Sequence, residues 1–195
     1  MIVALVLLGV LLLVAAGWVV ATYNGFVSLR NLVQESWRQI DVELNRRHEL
    51  VPNLVEAVQA YVVHERSVVD AVSAARAQAL RQASGPAEQA AQESDLGRAL
   101  GGLLAVAEAY PELRASAGFV ELQRELATTE DRIAAARRFY DANVRALSTR
   151  LESFPSGVVG RGFGFQPAEY FALADPAARQ VPVVDLGGGT RGAAG

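Results

Sequence analysis

Cysteine is absent from all 195 residues, so disulfides, thiolate metal sites and cysteine nucleophiles are excluded. Lysine is absent as well, and the eighteen basic side chains are all arginine. A P-loop lysine, a Schiff-base lysine and a Ser-Lys dyad are therefore impossible. The base composition of a GC-rich genome is the simplest source of this arginine-only usage. No charged side chain precedes Arg30. Beyond it acids and bases are interleaved to a formal charge of −3. That pattern lacks the basic face of a nucleic-acid binder, and no nucleic-acid partner is expected.

In place of charge the chain opens on an apolar run. Residues 2–21 contain no Asp, Glu, Lys, Arg, Asn, Gln or Pro. As a helix such a run spans about 30 Å, the hydrocarbon thickness of a bilayer. A cleaved signal peptide needs a basic segment ahead of a shorter apolar stretch. Here no basic side chain comes first, and Trp18 and Tyr23 close the run as interfacial aromatics do, so a retained membrane anchor is expected. Only the α-amino group precedes the run, whereas Arg30 and Arg38 follow it. The positive-inside rule then predicts an N-terminus outside and a cytoplasmic soluble part. A periplasmic or extracellular soluble part is the alternative.

The remainder reads as helix almost throughout, rich in Ala, Leu, Glu, Arg and Gln. Phe26, Leu29, Val33, Trp37, Ile40 and Leu44 recur every three or four residues, and continuity with the anchor is predicted because no proline precedes Pro52. Pro52 is predicted to interrupt this helix. Leu54, Val58, Tyr61, Val62, Val68, Val69 and Val72 then mark a second helix that fades near Arg81. Gly85, Pro86 and Glu88 read as cap, first position and first-turn acid of a third. The strong part of that helix is 95–109, where Gly97 and Gly101 are expected to admit a close neighbour. After Tyr110-Pro111, apolar positions from Phe119 through Leu122, Leu126, Thr129, Ile133, Ala136, Tyr140, Val144 and Leu147 to Leu151 form the seam of one long supercoiled helix. The expected fold is all-α: an anchor at 1–23, an antiparallel four-helix bundle at 24–152, and an irregular strap at 153–186 whose glycines and prolines forbid a regular helix. A disordered tail is expected at 187–195.

The stretch Arg46-Arg47-His48-Glu49-Leu50-Val51-Pro52-Asn53-Leu54-Val55 resembles the signature of the LemA family of bacterial membrane-anchored helical proteins. Further blocks agree in order: Tyr23-Asn24, Leu29-Arg30-Asn31, Trp37, Gln39-Ile40-Asp41-Val42, Leu44, Tyr61, His64-Glu65, Tyr110-Pro111, Arg137-Arg138-Phe139-Tyr140, Phe154-Pro155-Ser156, Phe163-Gly164-Phe165 and Tyr170-Phe171. The resemblance covers about nine tenths of the chain. It implies one N-terminal membrane helix and a four-helix bundle, and it implies no reaction. Asp141, Gly157 and Asn45 depart from the residues usual in the family at their positions.

His48 and His64, the two histidines, each precede a glutamate. Neither has the second histidine of a zincin motif, and Asn45 and Tyr61 occupy the places where a di-iron bundle needs glutamate. The expectation is a capping or salt-bridging His48 at a helix end and a solvated His64 beside Glu65. Arg46, Arg47 and His48 are placed in the last turn of the first helix, facing its negative dipole end. Asn53 and Glu56 are placed at the start of the second as cap and dipole partner. Arg137 and Arg138 are expected to pair with Glu130 and Asp131 along one helix. The alternating Gly160, Gly162 and Gly164 lack the strand, helix and lysine of a phosphate loop. No nucleophile, base and oxyanion hole assemble, and no metal or cofactor is expected.

The leading functional reading is a non-enzymatic, membrane-tethered helical scaffold or adaptor presenting its surface to a protein partner. The candidate interaction residues are Arg46, Arg47, His48, Asn53, Glu56, His64, Glu65, Arg137 and Arg138. A membrane-bound hydrolase, or another enzyme with a polar site in the bundle, is the alternative, and a phosphotransfer module is a third. A cavity with converging carboxylates and a histidine would favour the enzyme. The partner and the oligomeric state stay open.

Overall fold

The computed structural model describes residues 1–62 and 65–172. His64, the strap beyond residue 172 and the tail at 187–195 lie outside the described residues. Among the described residues there are six helices and no strand: α1 (Ile2–Gln59), α2 (Arg66–Ala79), α3 (Pro86–Ala107), α4 (Pro111–Arg114), α5 (Ala117–Glu152) and α6 (Ser156–Gly162).

Helix α1 runs without a break from the apolar N-terminus through Gly25 to Gln59, as its lack of early prolines predicts. Its first eighteen-residue apolar window buries nothing against the rest of the protein. From Phe26 onward one face turns inward, burying Phe26, Val33, Ile40, Leu44, Val51, Leu54 and Val58. The predicted interruption at Pro52 does not occur. Pro52 has no N–H to give the His48 carbonyl four residues back, but Arg76 of α2 supplies one, its Nε donating to that oxygen at 2.8 Å. A tertiary bond replaces the missing helical one, and the helix continues. Helix α1 ends instead at Gln59 and α2 begins at Arg66, so the predicted second helix is divided between the end of α1 and α2.

Helix α3 starts as its sequence indicates. Gly85 is the N-cap, Pro86 the first helical residue and Glu88 the first-turn acid. The Ser84 N–H donates to Glu88 Oε2 at 2.7 Å, and with the Ser84 hydroxyl holds that carboxyl below the usual carboxylate range. Gly97 and Gly101 face solvent with nothing near them, so the expected close helix approach there is absent.

The long helix α5 packs antiparallel along α1. Its buried residues are Phe119, Leu126, Thr129, Ile133, Tyr140, Val144, Leu147 and Leu151, the predicted seam with Leu122 and Ala136 half-buried at its margin. Two apolar cores result. One joins α1, α2, α3, α4 and the start of α5 around Val51, Leu54, Val72, Leu96, Leu103 and Phe119. The other joins α1 and the later part of α5 around Phe26, Ile40, Ile133, Tyr140 and Leu147. The α2–α3 pair reaches this second core only with Ala90 at the start of α3, and Phe165 and Phe171 of the C-terminal segment complete its cover.

That segment is not wholly irregular, since α6 forms despite its glycines. The glycines are there for close approach: a Cβ on Gly160 would lie 2.7 Å from Phe26 Cζ and 2.8 Å from Leu151 Cδ2. The helix ends in a Schellman motif. Phe165 N–H donates to Gly160 O at 3.0 Å, Gly164 N–H to Arg161 O at 3.1 Å, and Gly164 takes φ +77°. This turn aims Phe165 at Phe26, ring centroids 5.1 Å apart. Farther on, Tyr140 Oη donates to Glu169 O at 2.7 Å and Asp141 Oδ1 accepts from Phe171 N–H at 3.2 Å. The Phe171 ring stands 5.7 Å from Trp37.

Candidate functional site

Between the two apolar cores lies a layer of buried charge. In α1 it falls between Leu44 and Val51, in α3 between Ala90 and Leu96, and in α5 between Leu126 and Ile133. Arg47, 3% exposed, and His48, 5% exposed, come from α1. Glu93, 1% exposed, comes from α3, and half-exposed Glu130 comes from α5. The Arg47 Nη2 donates to Glu93 Oε2 and to the Glu93 carbonyl at 3.3 Å, while Nη1 donates to Glu130 Oε1 at 2.9 Å. His48 Nε2 lies 3.0 Å from Glu93 Oε1. Gln89 donates to Glu93 Oε1 at 2.8 Å and to the Ala79 carbonyl at 3.1 Å, tying the end of α2 into the layer.

The electrostatics keep the ion pair charged. Burial opposes the Glu93 carboxylate, but the contacts from His48 and Arg47 outweigh it and hold the carboxyl below its ordinary range. Burial likewise opposes the Arg47 guanidinium, and Glu130 and Glu93 together outweigh that and push its pKa up. One arginine thus bridges two carboxylates from two other helices, which fixes the positions of α1, α3 and α5 relative to one another. A recess of about 520 Å³ beside the layer is lined by Val51, Pro52, Val55, Glu56, Gln59, Ser73 and Arg76. Arg47, His48 and Glu93 do not line it.

The candidate residues do not form a single surface. Arg47 and His48 lie inside α1, not in its last turn, so the dipole role expected of them and of Arg46 is not available. His48 does meet a carboxylate, that of Glu93, though not at a helix end. Arg46 and Asn53 are exposed on α1, and Asn53 and Glu56 cap nothing because α1 continues past them. Glu65 is the N-cap residue of α2 and accepts from Tyr110 Oη at 2.9 Å. Glu130 pairs with Arg47, so the ladder expected with Arg137 and Arg138 does not form. Arg137 faces Asp141, and Arg138 is exposed.

Glu93, Gln89 and Arg76 belong to the arrangement but do not figure in the sequence reading, and Glu130 enters that reading only as a partner of Arg137 and Arg138. Glu93 carried a usable signal, since it sits three residues from Ala90 and three from Leu96, in the apolar register of α3. A charged residue on that stripe is buried only with a partner. Among the described residues, no group of three His, Cys, Asp or Glu side chains is placed to hold a metal.

Comparison with known proteins agrees with this architecture. Magnetosome protein MamQ 2 of Paramagnetospirillum magneticum is 26% identical over 194 residues, covering 86% of this chain and 71% of the relative. Magnetosome protein MamQ of Magnetospirillum gryphiswaldense is 24% identical over 174 residues, covering 76% of this chain and 64% of the relative. The model of the LemA family matches residues 36–186, from the middle of α1 through the charged layer, α5 and the segment that covers the second core. The chain belongs to the LemA family.

Proposed function

We propose that this membrane-associated helical protein is a non-enzymatic scaffold or adaptor, tethered by residues 2–21 and presenting its helical bundle to a protein partner on the cytoplasmic side. The observation that carries this reading is the enclosure of the charged layer, in which Arg47 bridges Glu93 and Glu130 while Arg47 Nε and both His48 ring nitrogens face no hydrogen-bond partner and no opening. A catalytic carboxylate–histidine pair needs an open place beside it for a reacting atom. Glu93 and His48 converge, but Arg47 neutralises the carboxylate and three helices enclose it. The layer is spent on holding the helices in register, which is the best-attested use of buried ionic groups.

Recognition then falls to the outer faces. The α1–α5 groove is the favoured one, because Val42 and Phe139 stand 64% and 47% exposed beside Gln39, Glu43 and Arg132. Apolar groups rimmed by polar ones suit a protein contact. A photoreactive phenylalanine analogue at position 139 in the full chain, in its native membrane, should crosslink to a discrete protein, and a Val42→Glu change should abolish that product. Crosslinking to lipid alone, or a product indifferent to Val42→Glu, would refute the groove as the docking face.

A further inference from the structure

The anchor does not account for every apolar group at the near end of the molecule. Helices α1 and α5 pair at successive levels: Arg47 with Glu130, Glu43 with Arg132, and Gly25 beside Arg150. Helix α5 ends at Glu152, just past Arg150, and Phe154 lies in the turn that leads into α6. Phe154 is 88% exposed, and Val158 and Phe163 are each 58% exposed. The Phe163 ring meets Tyr23 edge to face, centroids 5.0 Å apart, which sets α6 beside the aromatic that closes the membrane run. The inward face of α6 is Gly157 and Gly160, packed on Leu151 and Phe26, so its apolar side chains are turned outward rather than used in the core.

We propose that the α5–α6 turn and α6 form a second membrane-contacting element, seating Phe154, Val158 and Phe163 in the headgroup layer of the bilayer that holds the anchor. Together with Trp18 and Tyr23 they complete an interfacial collar around the base of α1. Continuity with the anchor names the occupant. The collar begins where the apolar run stops, on the helix that must lie against lipid at that depth. Local charge agrees: the exposed Arg30, over the Phe165 ring, and Arg161 of α6 stand against exposed Glu152, a balance suited to anionic headgroups. Phe165, the next aromatic along, is buried against Phe26, so the docked C-terminal segment holds the collar at a fixed height. A body fixed at two points cannot swing about a single tether, and its outer faces keep a defined distance from the membrane.

The proposal rests on the anchor reading, and the chain's lack of cysteine lets both be tested separately. Val158→Cys, Leu11→Cys and Val120→Cys full-length variants are spin-labelled and reconstituted in phosphatidylglycerol-containing vesicles. Val120 is an exposed valine near the start of α5, far from the collar. The label at 158 should be several-fold more accessible to oxygen dissolved in lipid than the label at 120, and several-fold less accessible to a water-soluble nickel chelate. The label at 11 reports anchor insertion alone. Insertion at 11 with water exposure at 158 equal to that at 120 would overturn the collar and leave the anchor standing. Protection at 158 accompanied by dipolar broadening between copies would also overturn it, in favour of a second protein molecule. Loss of lipid contact at 11 and 158 together would overturn the anchor reading itself.

Discussion

Arg76 donates its Nε hydrogen to the His48 carbonyl at 2.8 Å, the acceptor that Pro52 leaves vacant inside α1. The proline and the arginine are on different helices and do one job between them. Arg76→Ala should leave a part-buried carbonyl unpaired and cost about 1–3 kcal/mol in unfolding of the detergent-solubilised chain. With Pro52→Ala the helix supplies its own N–H, and Arg76→Ala in that background should cost less by about 1 kcal/mol. Additive losses across the double-mutant cycle would contradict the coupling.

This pair also shows where sequence reading stops. A proline within a helical pattern ends the helix by local rules. Those rules cannot see a donor arriving from the next helix. The sequence between the end of α1 at Gln59 and the start of α2 at Arg66 contains neither glycine nor proline, so no breaker marks the boundary. The seam of α5 and the unbroken passage from anchor to α1 were legible because each rests on a long periodic or apolar pattern. Arg47 and Glu93, 46 residues apart, were not legible as partners, and Arg47 could be given a plausible local job at a helix end. Helix α6 is not legible because its glycines count against a helix locally, while the space beside Phe26 requires Gly160.

The charged layer should set the acid limit of stability. The folded Glu93 pKa lies below its ordinary 4.5, so its contribution is complete above that value and is lost as pH falls through the folded one. The Arg47 pKa is raised beyond its already high ordinary value by Glu130 and Glu93, so its contribution persists at every working pH. Melting temperature should therefore drop steeply below about pH 4.5, and Glu93→Gln should flatten that limb. Asp141 acts oppositely. Burial raises its pKa, so ionising it near neutrality opposes folding, and Asp141→Asn should hold or raise the melting temperature at pH 7. An acid limb unchanged by Glu93→Gln would contradict the assignment.

Two kinds of glycine should respond with opposite signs. Gly97→Ala and Gly101→Ala, on an open helix face, should each stabilise by about 0.4–1 kcal/mol. Gly160→Leu should drive a side chain into Phe26 and Leu151 and cost about 1–3 kcal/mol. Thermal melts of the three variants check this directly. Equal effects at 97 and 160 would mean that α6 is not seated on α1.

Orientation is tested by protease added to intact spheroplasts. Arg30 and Arg38 follow the apolar run, and the proposal keeps the bundle inside and protected. Digestion of the bundle from outside, with a cytoplasmic marker intact, would place it on the opposite face.

The sharpest test separates a layer that holds helices from a layer that performs chemistry. Arg47→Met combined with His48→Leu, Glu93→Leu and Glu130→Gln replaces the buried charges by apolar or neutral groups of similar size. Such replacement of a buried ionic cluster is often neutral or stabilising, whereas removing one partner alone costs about 3–5 kcal/mol. The measurement is the crosslink from position 139 in native membranes, made with this variant once its helicity and melting are shown to be intact. A scaffold predicts the same crosslinked protein at wild-type yield. Loss of that product from a folded, membrane-inserted variant would contradict it and return the layer to the status of a functional site.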